Sequence, residues 1–107
     1  MPQGPIKVSV TQPGGNKSAL NITAASVVKA TNGIVFTITT STAGTAGDLV
    51  LNDYNALGAG NTAANQIIAI PFGSLADGGV LTLKWPCATG ITVSAVPTGW
   101  VGAISYS

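Results

Sequence analysis

Turn signals punctuate this chain from end to end, and their spacing limits what it can fold into. Pro13-Gly14-Gly15-Asn16, Asn32-Gly33, Gly44 to Asp48, Gly58 to Asn61, Asp77-Gly78-Gly79, Ala88-Thr89-Gly90 and Pro97-Thr98-Gly99 interrupt it at short intervals. Between them lie runs rich in Val, Ile, Thr and aromatic residues, which suit a half-buried pleated surface. No segment has helical periodicity, and the two glycines in Ala56 to Ala64 make that stretch a loop. Short strands with regular punctuation predict an all-β fold: a single antiparallel β-sandwich or jelly-roll-like barrel with an extended N-terminal segment. The 107 residues suffice for one domain. Residues 1–15 read as an N-terminal arm or first strand, and residues 16–107 as the β-domain.

Two local units predict hairpins. In the first, Val27, Val28 and Ala30 lead to Asn32-Gly33, a pair that tolerates the positive φ of a type I′ turn. Ile34 to Thr39 then alternates, with Ile34, Phe36 and Ile38 on one face. The second surrounds Asp77-Gly78, with a buried strand over Gln66 to Phe72 and an alternating one over Val80 to Trp85. There Leu81, Leu83 and Trp85 share a face, which places Trp85 in the core. Ile91 to Val96 and Trp100 to Tyr106 predict two closing strands around the turn Pro97-Thr98-Gly99. At the other end Ile6, Val8 and Val10 alternate within Ile6 to Thr11, which is either an ordinary first strand or an arm that adds to a neighbour's open sheet edge.

Charge is scarce. Four Lys and three Asp are the only charged side chains, with no Arg, Glu or His. A typical soluble domain is about one quarter charged. Apolar content is too high for disorder, and a net charge near zero favours association. A surface covered by copies of the chain or by a larger assembly is therefore expected. Four scattered lysines make no basic stripe, so no nucleic-acid partner is expected. No polybasic cluster and no long apolar run predicts a membrane partner. The opening Met1-Pro2-Gln3-Gly4-Pro5 lacks the apolar core of a signal peptide, so synthesis in a cytoplasm is expected. The single Cys87 has no internal disulfide partner, which fits a reducing compartment.

The residues that carry chemistry are few. Without His the commonest general base and metal ligand is missing. Asp48 and Asp53 flank Leu49-Val50-Leu51, but two carboxylates with Asn52 and Asn55 fall short of a calcium loop, and both read as turn residues at strand ends. Cys87 has no base to form its thiolate and reads as a small buried hydrophobe. Gly58-Ala59-Gly60 lacks the third glycine of a dinucleotide fingerprint and the Lys of a P-loop. No enzyme, catalytic residue, cofactor or metal is expected. Trp100, beside its turn, fits either a core edge or an interface. The interface candidates are Ile6, Val8, Val10, Trp100 and Tyr106.

Three segments carry a resemblance: Ile22-Thr23-Ala24-Ala25-Ser26-Val27-Val28-Lys29-Ala30, Ala63-Ala64-Asn65-Gln66-Ile67-Ile68-Ala69-Ile70-Pro71, and Leu83-Lys84-Trp85-Pro86-Cys87-Ala88-Thr89-Gly90-Ile91. With them the chain resembles short virion structural proteins, of hypothetical or decoration type, encoded by tailed phages. The pattern spans most of residues 22–106, and Trp-Pro-Cys-Ala-Thr-Gly is its most distinctive piece. The resemblance implies a virion part, and no catalytic residue comes with it. The expected role is capsid decoration or cement, with a major capsid protein or other virion protein as partner and a homo-oligomer, favouring a trimer. A head-fibre, tail or adaptor component is the alternative within that class. A carbohydrate-binding module using Trp85, Trp100 or Tyr106 is the alternative outside it.

Overall fold

The computed structural model describes residues 17–107. It is all-β, with two four-stranded antiparallel sheets packed face to face. The strands are β1 (Lys17–Ile22), β2 (Ser26–Lys29), β3 (Gly33–Thr42), β4 (Asp48–Asn52), β5 (Gln66–Pro71), β6 (Val80–Cys87), β7 (Ile91–Ala95) and β8 (Val101–Tyr106). One sheet has the order β1-β8-β3-β6 and the other β2-β7-β4-β5.

The pairing follows one rule. β1 pairs β8, β2 pairs β7, β3 pairs β6 and β4 pairs β5. That is a long hairpin with its tip between β4 and β5, rolled so that β3 also meets β8 and β4 also meets β7. Rolling a hairpin this way produces the jelly roll. Ile6, Val8 and Val10, and with them the arm-or-strand alternative, lie outside the described residues.

This topology corrects both expected hairpins. β2 and β3 lie in different sheets, as do β5 and β6. Neither Asn32 nor Gly33 takes a positive φ, so the type I′ turn does not form. Instead the chain crosses from one sheet to the other at Ala30 to Asn32, and again between Phe72 and Gly79. Alternation marked the strands correctly but said nothing of their partners, because each side-chain pattern is satisfied equally by pairing within or across sheets.

Inward-facing side chains from both sheets form the core: Val35, Ile38 and Ile104 from one, Leu49, Leu51, Ile91 and Val93 from the other, all fully buried. The pattern inverts the two tryptophans. Trp100 is 1% exposed and Trp85 51%. Gly99, at φ 77, sits third in a Pro97–Trp100 turn closed by the Trp100 N–H to the Pro97 carbonyl at 3.1 Å. The turn sends the indole between the sheets, over Gly102, whose missing Cβ leaves room for the ring. Trp100 is therefore core and leaves the interface candidates. Trp85 leaves the core because the expected alternation of β6 is broken. Lys84 takes φ 50, and the β3–β6 register slips between Val35 and Thr37. The slip is a β-bulge on an edge strand, a device that re-aims the side chains beyond it.

Candidate interaction surface

The outer face of the β1-β8-β3-β6 sheet is built from the residues that alternate with the core. Ile38 and Ile104 point inward, so Thr37, Thr39, Ala103 and Ser105 point outward. Registers align these across all four strands. Ser18 pairs Ser105, Ser105 pairs Thr37, and Thr37 pairs Thr82, giving a hydroxyl row the full width of the sheet. Thr37 and Ser105 share a hydroxyl–hydroxyl bond, and the Thr37 N–H donates to Ser105 Oγ at 3.1 Å. The next row is Ala103, Thr39 and Val80. Leu20, 74% exposed, and Val80, 65% exposed, stand on the two edge strands. None of these residues is charged. The face combines methyl groups with short hydroxyls, of which Thr37 and Ser105 bond each other and Thr39 donates to the Ala103 carbonyl at 3.4 Å, so part of its polar surface is already satisfied when water is removed.

The four edges differ. β1 is interrupted at Asn21, which takes φ 53, with a register slip between Ala19 and Ile22. β2 has four residues and a slip of its own. β6 carries the Lys84 bulge and Pro86. These features blunt an edge against unwanted pairing. β5 (Gln-Ile-Ile-Ala-Ile-Pro) is uncharged and keeps a regular register with β4 from Ile68 to Pro71.

The end of the sandwich near Cys87 holds the polar residues that chemistry would need. Asp53, just past β4, accepts backbone N–H bonds from Ala88 at 3.0 Å, Thr89 at 2.8 Å and Gly90 at 3.2 Å. Burial alone would raise its carboxyl, but these three donors together outweigh it and hold the group below its ordinary range. The β6–β7 turn is thus an anion-binding nest filled by the protein's own side chain. Gly90 permits it, since a Cβ there would meet the Tyr54 carbonyl at 2.5 Å and the Lys29 carbonyl at 2.8 Å. Asp53 is the turn-tying residue expected of it, and Asp48 opens β4.

Cys87 is 3% exposed. Burial first, and the Asp53 charge second, push its thiol up to about 11. It keeps its proton at neutral pH and is a poor nucleophile. Lys29, Asn32, Asp53 and Ser107 line a broad open depression of about 750 Å³ beside it. Among the described residues, no group of three or more His, Cys, Asp or Glu is placed to hold a metal ion, and no helix is long and apolar enough to cross a membrane.

The site thus differs from the residues singled out in the sequence. Tyr106, at the end of β8, is partly buried and packs on the core. Leu20, Val80 and the hydroxyl row carry the outer face instead. Only their alternation with core positions could have marked them, and that required knowing which face is buried. No protein-family model, curated protein or solved structure matches the chain.

Proposed function

We propose that this chain is a virion structural protein, a capsid decoration or cement protein that lays its β1-β8-β3-β6 face against the major capsid protein lattice. The observation that carries the reading is the hydroxyl row across all four strands of that face, with the uncharged row beside it and exposed Leu20 and Val80 at its margins. A flat face of small side chains suits another folded surface, because little rotamer entropy is lost on contact. The sequence resemblance to tailed-phage virion proteins supplies the assembly. The jelly roll is compatible with a capsid role, though the fold hosts lectins and other proteins equally. The mechanism is binding alone: a clamp across neighbouring capsid subunits adds contacts that must break before the shell opens.

The test is cryo-electron microscopy of the encoding particle, with mass spectrometry of purified heads and tails. Density on the head lattice, with this face inward, is the expected result. Finding the chain in tail fractions would move it to a fibre, tail or adaptor role, and its absence from particles would end the virion reading. Thr39→Lys, on the outer face, should leave folding intact and reduce head occupancy. A carbohydrate-binding role is favoured by one observation, the half-exposed Trp85 ring, and a glycan array with no signal would remove it.

A further inference from the structure

We infer that the β5 edge is an acceptor for an extended strand, and that its occupant is residues Ile6 to Thr11 of a second copy of this chain. The inference does not rest on the virion reading, since it concerns contacts between copies in any assembly.

Three observations converge. β5 carries no charge and no positive φ, and beyond its one register shift, at Ile67, its unpaired backbone groups from Ile68 to Ile70 form a regular template. Among the described residues it has a sheet neighbour on one side only, β4. Beside it the sandwich is incompletely filled. Ile38, Ile70, Leu75 and Leu81 line an apolar cavity of about 200 Å³ between β5 and β6. Ile68 and Ile70 pair with the buried Leu51 and Leu49, so they point toward the core. A strand added beyond β5 would continue that inner row across the mouth of the cavity.

Ile6-Lys7-Val8-Ser9-Val10-Thr11 has the matching pattern. Paired with β5, it would set Ile6, Val8 and Val10 on the inner face, over the cavity. Lys7, Ser9 and Thr11 would lie on the outer face, beside Ala69. Main-chain bonds would supply affinity and the cavity specificity, as in other β-augmentation.

Reach decides between the same copy and another. The segment joins β1 at Lys17, and β1 and β5 are on opposite edges of the sandwich. Four strand spacings of about 4.8 Å and a sheet separation of about 10 Å give roughly 22 Å in a straight line. That line passes through the protein, and any path around it is longer. From Thr11 to Lys17 the chain spans at most about 22 Å when fully extended, which matches the straight line and falls short of any path around the protein. The acceptor must therefore belong to another copy.

The test is disulfide trapping between full-length chains. A Ser9→Cys chain is mixed with an Ala69→Cys chain under mild oxidation, with Lys7→Cys and Thr11→Cys covering neighbouring registers. Buried Cys87 does not compete. The expected result is a cross-linked heterodimer with Ala69→Cys in at least one register, and little with Ser18→Cys on β1 or Val80→Cys on β6. Sedimentation of the native chain should show oligomers that grow with concentration. Val8→Pro, which removes a donor and disrupts the strand, should weaken them by at least roughly tenfold. The melting temperature of the dilute Val8→Pro chain should stay unchanged. A lowered one would place the segment in its own sandwich and overturn the proposal. So would trapping at Ser18 or Val80, closure within one doubly substituted chain, or a native chain that stays monomeric at every concentration.

Discussion

Trp100 donates its indole N–H to the hydroxyl of Thr40 at 3.0 Å, wholly inside the sandwich. The bond links the start of β8 to β3 and satisfies both of the polar groups that this corner of the core buries.

Thr40→Val keeps the side-chain shape but leaves that N–H without a partner. Chemical denaturation should show a loss of about 1–3 kcal/mol, and Thr40→Ser should recover most of it. Gly102→Ala should be worse, since its methyl group would collide with the Trp100 ring and the Thr39 carbonyl. If Thr40→Val proves neutral, the bond contributes nothing.

The inverted tryptophans have an optical signature. Trp85 is half exposed and Trp100 is buried. Acrylamide should quench native fluorescence in two components. Trp85→Phe should remove the accessible component and leave a blue-shifted one, with little effect on stability. The reverse assignment of the two components would contradict this packing.

Asp53 makes stability depend on pH. Its folded carboxyl ionises below the ordinary 3.8, so the stabilisation is present above the unfolded value. It is lost as pH falls through the folded one. Asp53→Asn should cost about 2 kcal/mol near neutral pH, and the gap between the two proteins should close in acid. Urea midpoints measured from about pH 7 to about pH 2 would show it. A gap that stays constant would mean that the charge itself is not what holds Ala88, Thr89 and Gly90.

Cys87 should resist thiol reagents in the folded protein. It is both buried and protonated, with a thiol pushed up to about 11. An aromatic disulfide reagent at about pH 8 should react slowly until denaturant is added, then quickly. Rapid labelling of the native chain would mean that the end of β6 opens.

Thr92 and Asn52 show how far pattern reading reaches. Both are polar and both are buried, against any hydropathy expectation. Each is satisfied by groups distant in sequence. Thr92 Oγ1 donates to the Tyr54 carbonyl at 2.7 Å, while Asn52 Nδ2 donates to the Thr62 carbonyl at 3.0 Å and Asn52 Oδ1 accepts from Ser94 at 2.6 Å. Burial of a polar side chain becomes affordable only when the fold brings such partners to it. The same holds for the candidate surface. The hydroxyls of Ser18, Thr37, Thr82 and Ser105 are plain in the sequence, but their alignment into one row is a property of register.

What the sequence determined by itself was local. Alternation and turn residues set the class, the strands from Gly33 onward, and the ends of β4 at Asp48 and Asp53, because a period of two and a preference for tight turns act over a few neighbouring residues. The charge poverty that points to association is likewise legible without coordinates. Tertiary structure decided which strands pair, that Trp100 rather than Trp85 is core, and which strands stand at the sheet edges. Those outcomes depend on contacts such as β1 with β8, between segments some eighty residues apart. They depend also on a single bulge at Lys84, a change of backbone register that leaves no mark in the side-chain pattern around it.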